Sequence, residues 1–261
     1  MGWGVSAMKE LFNLAGKRAV VTGSSQGIGR AIALALAECG ADVLVHCAGS
    51  LDQAAVVRDE IASFGVRSAF VAAPLEGSSA AQAIQAAAGE WFGGVDILIL
   101  NASVQIRKEW REIAQEEYRR QIDVNFGASL WLAQAFAPEM CERRWGRILA
   151  IGSVQQVRPH PAMLVYAASK CAQGSMVRSL APHLAPYGVT INNLAPGAIA
   201  TGRNEQVLAD ETYRRAVCGK IPLGYVGEPR DCAAMAALLC SEAGRYVTGQ
   251  DIYVDGGMGL P

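Results

Sequence analysis

No stretch of this 261-residue chain offers about 18 consecutive uncharged apolar residues, the least that crosses a membrane as a helix. Its apolar runs are short and broken by charges, glycine or proline, so a protein that stays in water, with no membrane partner, is expected. Basic clusters are equally scarce. Lys and Arg number 23 against 24 Asp and Glu, the formal net charge is −1, and Arg143-Arg144 is the densest basic spot. Such a balance supplies no broad attraction for nucleic acid or anionic lipid. The cysteines, seven in all, are odd in number and include no C-x-x-C pair, which argues against a disulfide framework or a zinc site. Reduced thiols, a cytoplasmic location and no bound metal are the expectations. The N-terminal MGWGVSAMKELFNLAG carries Lys9 and Glu10 and lacks the apolar core of a secretory signal. Residues 1–15 therefore read as a short arm leading into the first strand. Linkers, low-complexity tracts and fixed-period repeats are missing too, and residues 1–261 read as a single domain.

Hydrophobic residues make up 51% of the chain and charged residues 18%, which suits a globular protein with a well-buried sheet. Seven short β-rich runs recur: RAVVTG (18–23), ADVLVHC (41–47), RSAFVAA (67–73), VDILILN (95–101), GRILAIG (146–152), VTINNLAP (189–196) and QDIYVDG (250–256). Most lack polar alternation, as strands covered on both faces do. Ala-rich helical segments fit between them, at 27–39, 52–64, 79–92, 112–143, 162–186, 203–217 and 228–241. Strands alternating with helices predict an α/β fold with a doubly wound, seven-stranded parallel sheet in a three-layer sandwich. The longest irregular candidate runs over 198–223, after the carboxyl end of the sixth strand, where ligands bind in such sheets. A substrate loop or lid is expected there.

TGSSQGIG, residues 22 to 29, follows the first strand and opens a helix. Gly23 permits a tight turn, Gly27 lets the backbone approach a pyrophosphate and Gly29 allows close helix–strand packing, while the helix N-terminus supplies partial positive charge. The turn resembles the T-G-x-x-x-G-x-G of the short-chain dehydrogenase/reductase family, which has a Rossmann-like fold. The resemblance spans nearly the whole chain: Asn101-Ala102 after the fourth strand, Asn125 in the next helix, Ser153 after the fifth strand, Tyr166 and Lys170, Pro196-Gly197 after the sixth strand, and Asp255-Gly256-Gly257 after the seventh. Within the family the likeness is greatest to 3-oxoacyl-(acyl-carrier-protein) reductases and similar ketoreductases or polyol dehydrogenases.

A ketone and a secondary alcohol interconvert when a hydride and a proton move, and the protein must supply the proton partner. Tyrosine alone is a poor base near neutral pH, with a pKa of about 10. A lysine cation about 4 Å away, at an effective dielectric of about 20, favours the phenolate by about 4 kcal/mol. Tyr166 and Lys170 are four apart and share one helix face. The resemblance implies Tyr166 as general acid in reduction and base in oxidation, Lys170 also on the nicotinamide ribose, Ser153 on the substrate oxygen, and Asn125 holding a water that links Lys170 to solvent. A non-catalytic dinucleotide-binding module of the same fold should lack the serine, tyrosine or lysine, and all three are present.

For the cofactor, the resemblance implies contacts from Gly23, Ser25, Gln26, Gly27, Ile28 and Gly29 in the turn, and from His46, Cys47, Ala48 and Gly49 after the second strand. It adds Pro74 and Leu75, Asn101, Ala102 and Ser103, Pro196, Gly197, Ile199 and Thr201. Cys47 stands where NAD-preferring relatives place a carboxylate, and neither Gln26 nor Ala48 is basic as in many NADP-preferring ones. Without the repelling carboxylate NADP(H) is the favoured cofactor, with NAD(H) the alternative. Ser25, His46 and backbone amides near Gly49 and Ser50 are the remaining donors. Pro74 replaces an Asp that binds adenine in many relatives, and Ser103 replaces the last glycine of N-A-G. The substrate pocket is expected to be lined by Ser103, Val104, Gln105, Val154, Gln155, Gln156, His160, Met163 and the 198–223 loop. Two substrate classes stay open, a 3-oxoacyl thioester and a polyol, sugar or general carbonyl compound. Arg144 matches one member of the basic pair that docks acyl carrier protein in such relatives, but Pro182 occupies the other position. Apolar and small residues over 112–143 and 162–186 point to a homotetramer, with a dimer as the alternative.

Overall fold

A computed structural model describes residues 5–202, 204 and 209–261, with the side chains of 5–7 outside the description. Seven strands, β1 (Arg18–Val21), β2 (Asp42–Cys47), β3 (Ser68–Ala72), β4 (Ile97–Leu100), β5 (Gly146–Ile151), β6 (Val189–Pro196) and β7 (Asp251–Val254), form one sheet. Their order is β3-β2-β1-β4-β5-β6-β7, and every pairing is parallel. All residues of β4, β5 and β6 are buried, including the polar Arg147, Thr190, Asn192 and Asn193, whereas the edge strand β7 is only half-covered. The predicted doubly wound sheet is therefore present.

Helices α1 (Val5–Leu11), α2 (Gly27–Glu38), α3 (Leu51–Ala62), α4 (Ser79–Phe92), α5 (Gln115–Ile122), α6 (Ala128–Glu142), α7 (Leu164–Leu184), α8 (Glu211–Cys218) and α9 (Pro229–Cys240) complete the described chain. Successive strand residues point to opposite faces. On one face Val20, Leu44, Leu98 and Ile148 pack with α4, α6 and α7. On the other Val21, Val43, Ile99 and Leu149 pack with α2, α3 and α9. The result is the expected three-layer sandwich.

Three expectations change in detail. The N-terminal arm contains the helix α1. The single helix expected over 112–143 is broken into α5, a π-helical turn Asp123–Gly127 and α6. Of the helix expected over 203–217, α8 covers the second half, and residues 203 and 205–208 lie outside the described residues. Connections from β1 lead first toward β3 and then back past β1 to β4, so the order reverses between β1 and β4. The crevice at their carboxyl ends is where such sheets bind ligands.

Candidate active site

The turn between β1 and α2 is held by the start of the β4 loop. Thr22 Oγ1 donates to the Ile99 carbonyl at 3.0 Å and accepts from the N–H groups of Asn101 and Ala102 at 2.9 and 3.1 Å. Asn101 Nδ2 in turn donates to the carbonyls of Thr22 and Gly23, at 2.7 and 3.0 Å. A Cβ at Gly29 would fall on that Asn101 amide and on the Gly23 carbonyl, so only glycine lets helix, turn and β4 loop meet. Gly23 itself has φ of 62°, and a Cβ there would sit 3.0 Å from the Ala102 backbone. No side chain caps α2, since Gln26 makes no capping bond. The first-turn N–H groups are thus left for an anion, and the turn fits a dinucleotide pyrophosphate.

His46 ties the same turn to the neighbouring strand. Its Nδ1 accepts from the Gly23 N–H at 3.0 Å and its Nε2 donates to the Ala73 carbonyl at 2.8 Å. Both ring nitrogens are engaged within the protein, so of the donors expected near the end of β2 His46 has no ring N–H left to offer, although it lines the cleft. Burial pushes its pKa below the usual imidazole value, against the opposing pull of the Ala73 carbonyl. Cys47 beside it is buried, and burial raises its thiol pKa despite backbone hydrogen bonds from Gly49 and Ser50. It is a small filler rather than a reactive thiol.

One cleft of about 710 Å³ runs from this turn across the carboxyl edge of the sheet. All of the turn and β2 residues expected on the cofactor line it, together with Pro74, Leu75, Asn101, Ala102, Ser103, Pro196, Gly197, Ile199 and Thr201. Ser153, Tyr166 and Lys170 line it as well, and so do Val104, Gln105, Val154, Gln155, His160 and Met163. Gln156 does not. Its amide turns inward, accepting from the Ser153 N–H and Asn193 Nδ2, both at 3.0 Å, and so anchors the turn after β5 to β6. The expectation that it faces substrate fails because its carboxamide satisfies buried strand-end polar groups instead.

Ser153 begins that turn, and its Oγ accepts from the Gln155 N–H at 3.2 Å, which leaves its hydroxyl hydrogen for a ligand oxygen. Tyr166 and Lys170 occupy successive turns of α7 and are 7% and 1% exposed, so their chemistry takes place largely out of bulk water. The Lys170 ammonium lies 5.8 Å from the Tyr166 ring centre. It donates to the Ile151 carbonyl at 2.6 Å and to Gln173 Oε1 at 3.1 Å. Gln173, itself fully buried, passes its other end on: Nε2 donates to Ser129 Oγ at 2.9 Å, and Ser129 donates to the Asn125 carbonyl at 3.2 Å. Sequence reading missed Gln173 and Ser129, for neither belongs to a motif.

Asn125 lies in the π-helical turn and does not line the cleft. Its Oδ1 accepts from the Val104 N–H at 2.7 Å, and its Nδ2 donates to the Val104 carbonyl and to Ser169 Oγ at 2.9 and 3.0 Å. The side chain therefore clamps the β4 loop onto α7, and the link from Asn125 to Lys170 runs through Ser129 and Gln173. A π turn widens the helix by one residue and commonly marks a functional position. Here it brings the Asn125 side chain and carbonyl to two different partners. Among the described residues no cluster of His, Cys, Asp and Glu could hold a metal, and no helix is long and apolar enough to cross a membrane.

A family model described as enoyl-(acyl carrier protein) reductase matches residues 23–259. The chain is 37% identical over 249 residues to 3β-hydroxysteroid dehydrogenase 1 of Eggerthella lenta, with 95% of each chain covered. It is 35% identical over 246 residues to L-rhamnose 1-dehydrogenase (NAD(P)(+)) of Azotobacter vinelandii, covering 93% of this chain and 96% of that one. Among solved structures it superposes on a 3-oxoacyl (acyl-carrier-protein) reductase of Agrobacterium tumefaciens with NADP bound, at a TM-score of 0.91 and 35% identity, over 98% of this chain and 99% of that one. The superposition over nearly the whole of both chains agrees with the seven-stranded parallel sheet. The chain belongs to the short-chain dehydrogenase/reductase family of NAD(P)-dependent oxidoreductases.

Proposed function

We propose that the protein interconverts a ketone and a secondary alcohol with NADP(H), the observation that carries this being Ser153, Tyr166 and Lys170 in one cleft with an uncapped phosphate turn. A nicotinamide cofactor bound in the cleft supplies or accepts the hydride. Tyr166 gives its phenolic proton to the substrate oxygen in reduction and takes it back in oxidation. The buried Lys170 ammonium favours the phenolate over the phenol, which eases proton donation in reduction and keeps the base form populated for oxidation. Ser153 donates its free hydroxyl hydrogen to the same oxygen and fixes its position.

NADP(H) is supported by the chemistry around the end of β2. Cys47, Ala48, Gly49 and Ser50 line the cleft there without a carboxylate, and Ser25 and Gln26 face the same space. The relative of known structure at 35% identity carries NADP. A fluorescence titration is expected to give a lower dissociation constant for NADPH than for NADH, and tighter NADH binding reverses the assignment.

For the substrate, a 3-oxoacyl thioester is the first reading, supported by the likeness to the Agrobacterium reductase. A sugar or other carbonyl compound is the second, supported by the rhamnose and steroid dehydrogenases at similar identity and by the amides of Gln105 and Gln155 in the cleft. NADPH oxidation measured on an acetoacetyl thioester beside ketoses and cyclic ketones separates the two. All seven cysteines are free, which supports a reducing, cytoplasmic setting. A homotetramer is supported by exposed Trp131 on α6 and by small residues, Ala168 and Ser175, at exposed positions of α7. Light scattering at the monomer mass removes that assembly.

A further inference from the structure

The ketone–alcohol reading leaves one end of the cleft unexplained. We infer that the substrate carries an oxyanion, a carboxylate or phosphate, and that Arg107, His160 and Lys220 receive it. The inference rests on the ketone–alcohol reading and adds the substrate's charge to it.

The three basic side chains come from three separate segments, the loop after β4, the turn before α7 and the stretch after α8, and all line the cleft that holds Tyr166. Arg107 and Lys220 both lie within electrostatic reach of His160: after burial, their charges are what hold its pKa below the usual value. Convergence of this kind is not a by-product of composition, for the chain as a whole is weakly acidic at −1. Nor is it balanced locally. Glu76 is the one carboxylate among the described residues lining the cleft, and it pairs with Arg120 at 3.4 Å beside Pro74 and Leu75, at the cofactor end.

Partnering inside the protein is missing as well. Among the described residues no ion pair uses Arg107 or Lys220, although the adjacent Lys108 pairs with Glu117 at 2.8 Å. Two like charges held at one mouth repel, and low-dielectric walls focus their field into the cleft. An anion between them removes the repulsion and gains charge-assisted hydrogen bonds. His160 is set for the same task. Its Nδ1 accepts from the Ala162 N–H at 3.1 Å, so the neutral ring carries its hydrogen on Nε2 and offers a donor without adding a third charge. Its own N–H donates to Gln155 Oε1 at 2.6 Å, which fixes the turn and leaves the Gln155 amide hydrogens as further donors.

The oxyanion has two chemical sources, a carboxylate on a small oxo acid or a phosphate on a coenzyme A thioester. Matched pairs separate them: acetoacetate against ethyl acetoacetate, and acetoacetyl-coenzyme A against the neutral acetoacetyl-N-acetylcysteamine, each assayed with NADPH. In one pair the charged member is expected to show kcat/KM about tenfold or more above its neutral twin, the worth of a charge-assisted contact. Arg107→Gln and Lys220→Gln are expected to remove that advantage through KM, with kcat and turnover of the neutral twin unchanged, and added salt is expected to erode it. Both residues are exposed, so the variants fold. Equal kcat/KM within both pairs overturns the inference, as does an equal loss on charged and neutral members in the variants. Neutral twins that are reduced while the inference fails leave the ketone–alcohol reading standing. Absence of turnover on all four compounds and on the ketoses and cyclic ketones overturns that reading and the inference with it.

Discussion

At the scale of single residues, the groups proposed to react stand out in the sequence because their chemistry is rare in combination. A tyrosine and lysine four apart, a serine at a strand end and an asparagine in the preceding helix fit one reaction. Their supports were not legible. Gln173 belongs to no motif of its helix, and its partner Ser129 is 44 residues away in sequence. Orientation follows from donor chemistry alone: an ammonium can only donate, so the Gln173 oxygen faces Lys170 and its nitrogen faces Ser129. Gln173→Leu strips the ammonium of one acceptor and takes from Ser129 Oγ the N–H that donates to it, while its own bond to the Asn125 carbonyl remains. A stability loss of about 1.5–3 kcal/mol is expected for a hydrogen bond to a charged group. Alcohol oxidation in this variant is also expected to shift its pH–rate profile toward alkaline pH, since a less firmly held cation favours the phenolate less. An unmoved profile would assign Gln173 to packing alone.

Among elements, the strands were readable because most of their β-rich runs lack polar alternation, as a sheet covered on both faces demands. Edge strand β7 reads the same way in sequence yet is half-exposed, since run composition carries no information about position in the sheet. The π turn at Asp123–Gly127 escaped for a related reason. One extra residue in a turn scarcely disturbs the apolar spacing of DVNFGASLW, so the pattern reads as a continuous helix. In the phosphate turn, by contrast, glycine positions carried the geometry outright. Gly29→Ala drives a methyl group into Asn101 and the Gly23 carbonyl. The expected outcome is a stability cost of about 1–3 kcal/mol from overpacking and a several-fold rise in the NADPH dissociation constant. Unchanged binding in calorimetry would detach the turn from the cofactor.

On the scale of the whole molecule, the doubly wound parallel sheet was the most predictable feature, because strands alternating with helices, right-handed crossovers and two covered faces leave few architectures. Substrate identity was the least, because it depends on how the loops after β4, β5 and β6 converge. Arg107 gave no sign in the sequence that it would meet Lys220 and His160. Folding also binds the molecule to pH. Burial alone would raise the Asp96 pKa, but hydrogen bonds and charge from Arg18, with Arg143 behind, bring it below the ordinary carboxylate value. A depressed folded pKa means stability that is present above the unfolded value, about 4, and lost as pH falls through the folded one. His46, held neutral by burial, acts in the same direction from about pH 6.5 downward, because the unfolded chain takes up a proton that the folded chain refuses. Melting temperature is therefore expected to fall in two stages on acidification, and His46→Gln is expected to flatten the upper one. A profile flat from about pH 6.5 to about pH 4 would contradict the His46 assignment, and one that stays flat on further acidification would contradict that of Asp96.

The central claim concerns one phenol. Tyr166→Phe removes only a hydroxyl and keeps the ring that packs in the cleft beside Lys170. Measured on any ketone that the native enzyme reduces, the variant is expected to lose at least about 100-fold in kcat, the scale of general acid catalysis. Its NADPH dissociation constant should stay within about twofold, because the phosphate turn is untouched. Turnover at the native rate would contradict the assignment of Tyr166 as the proton donor.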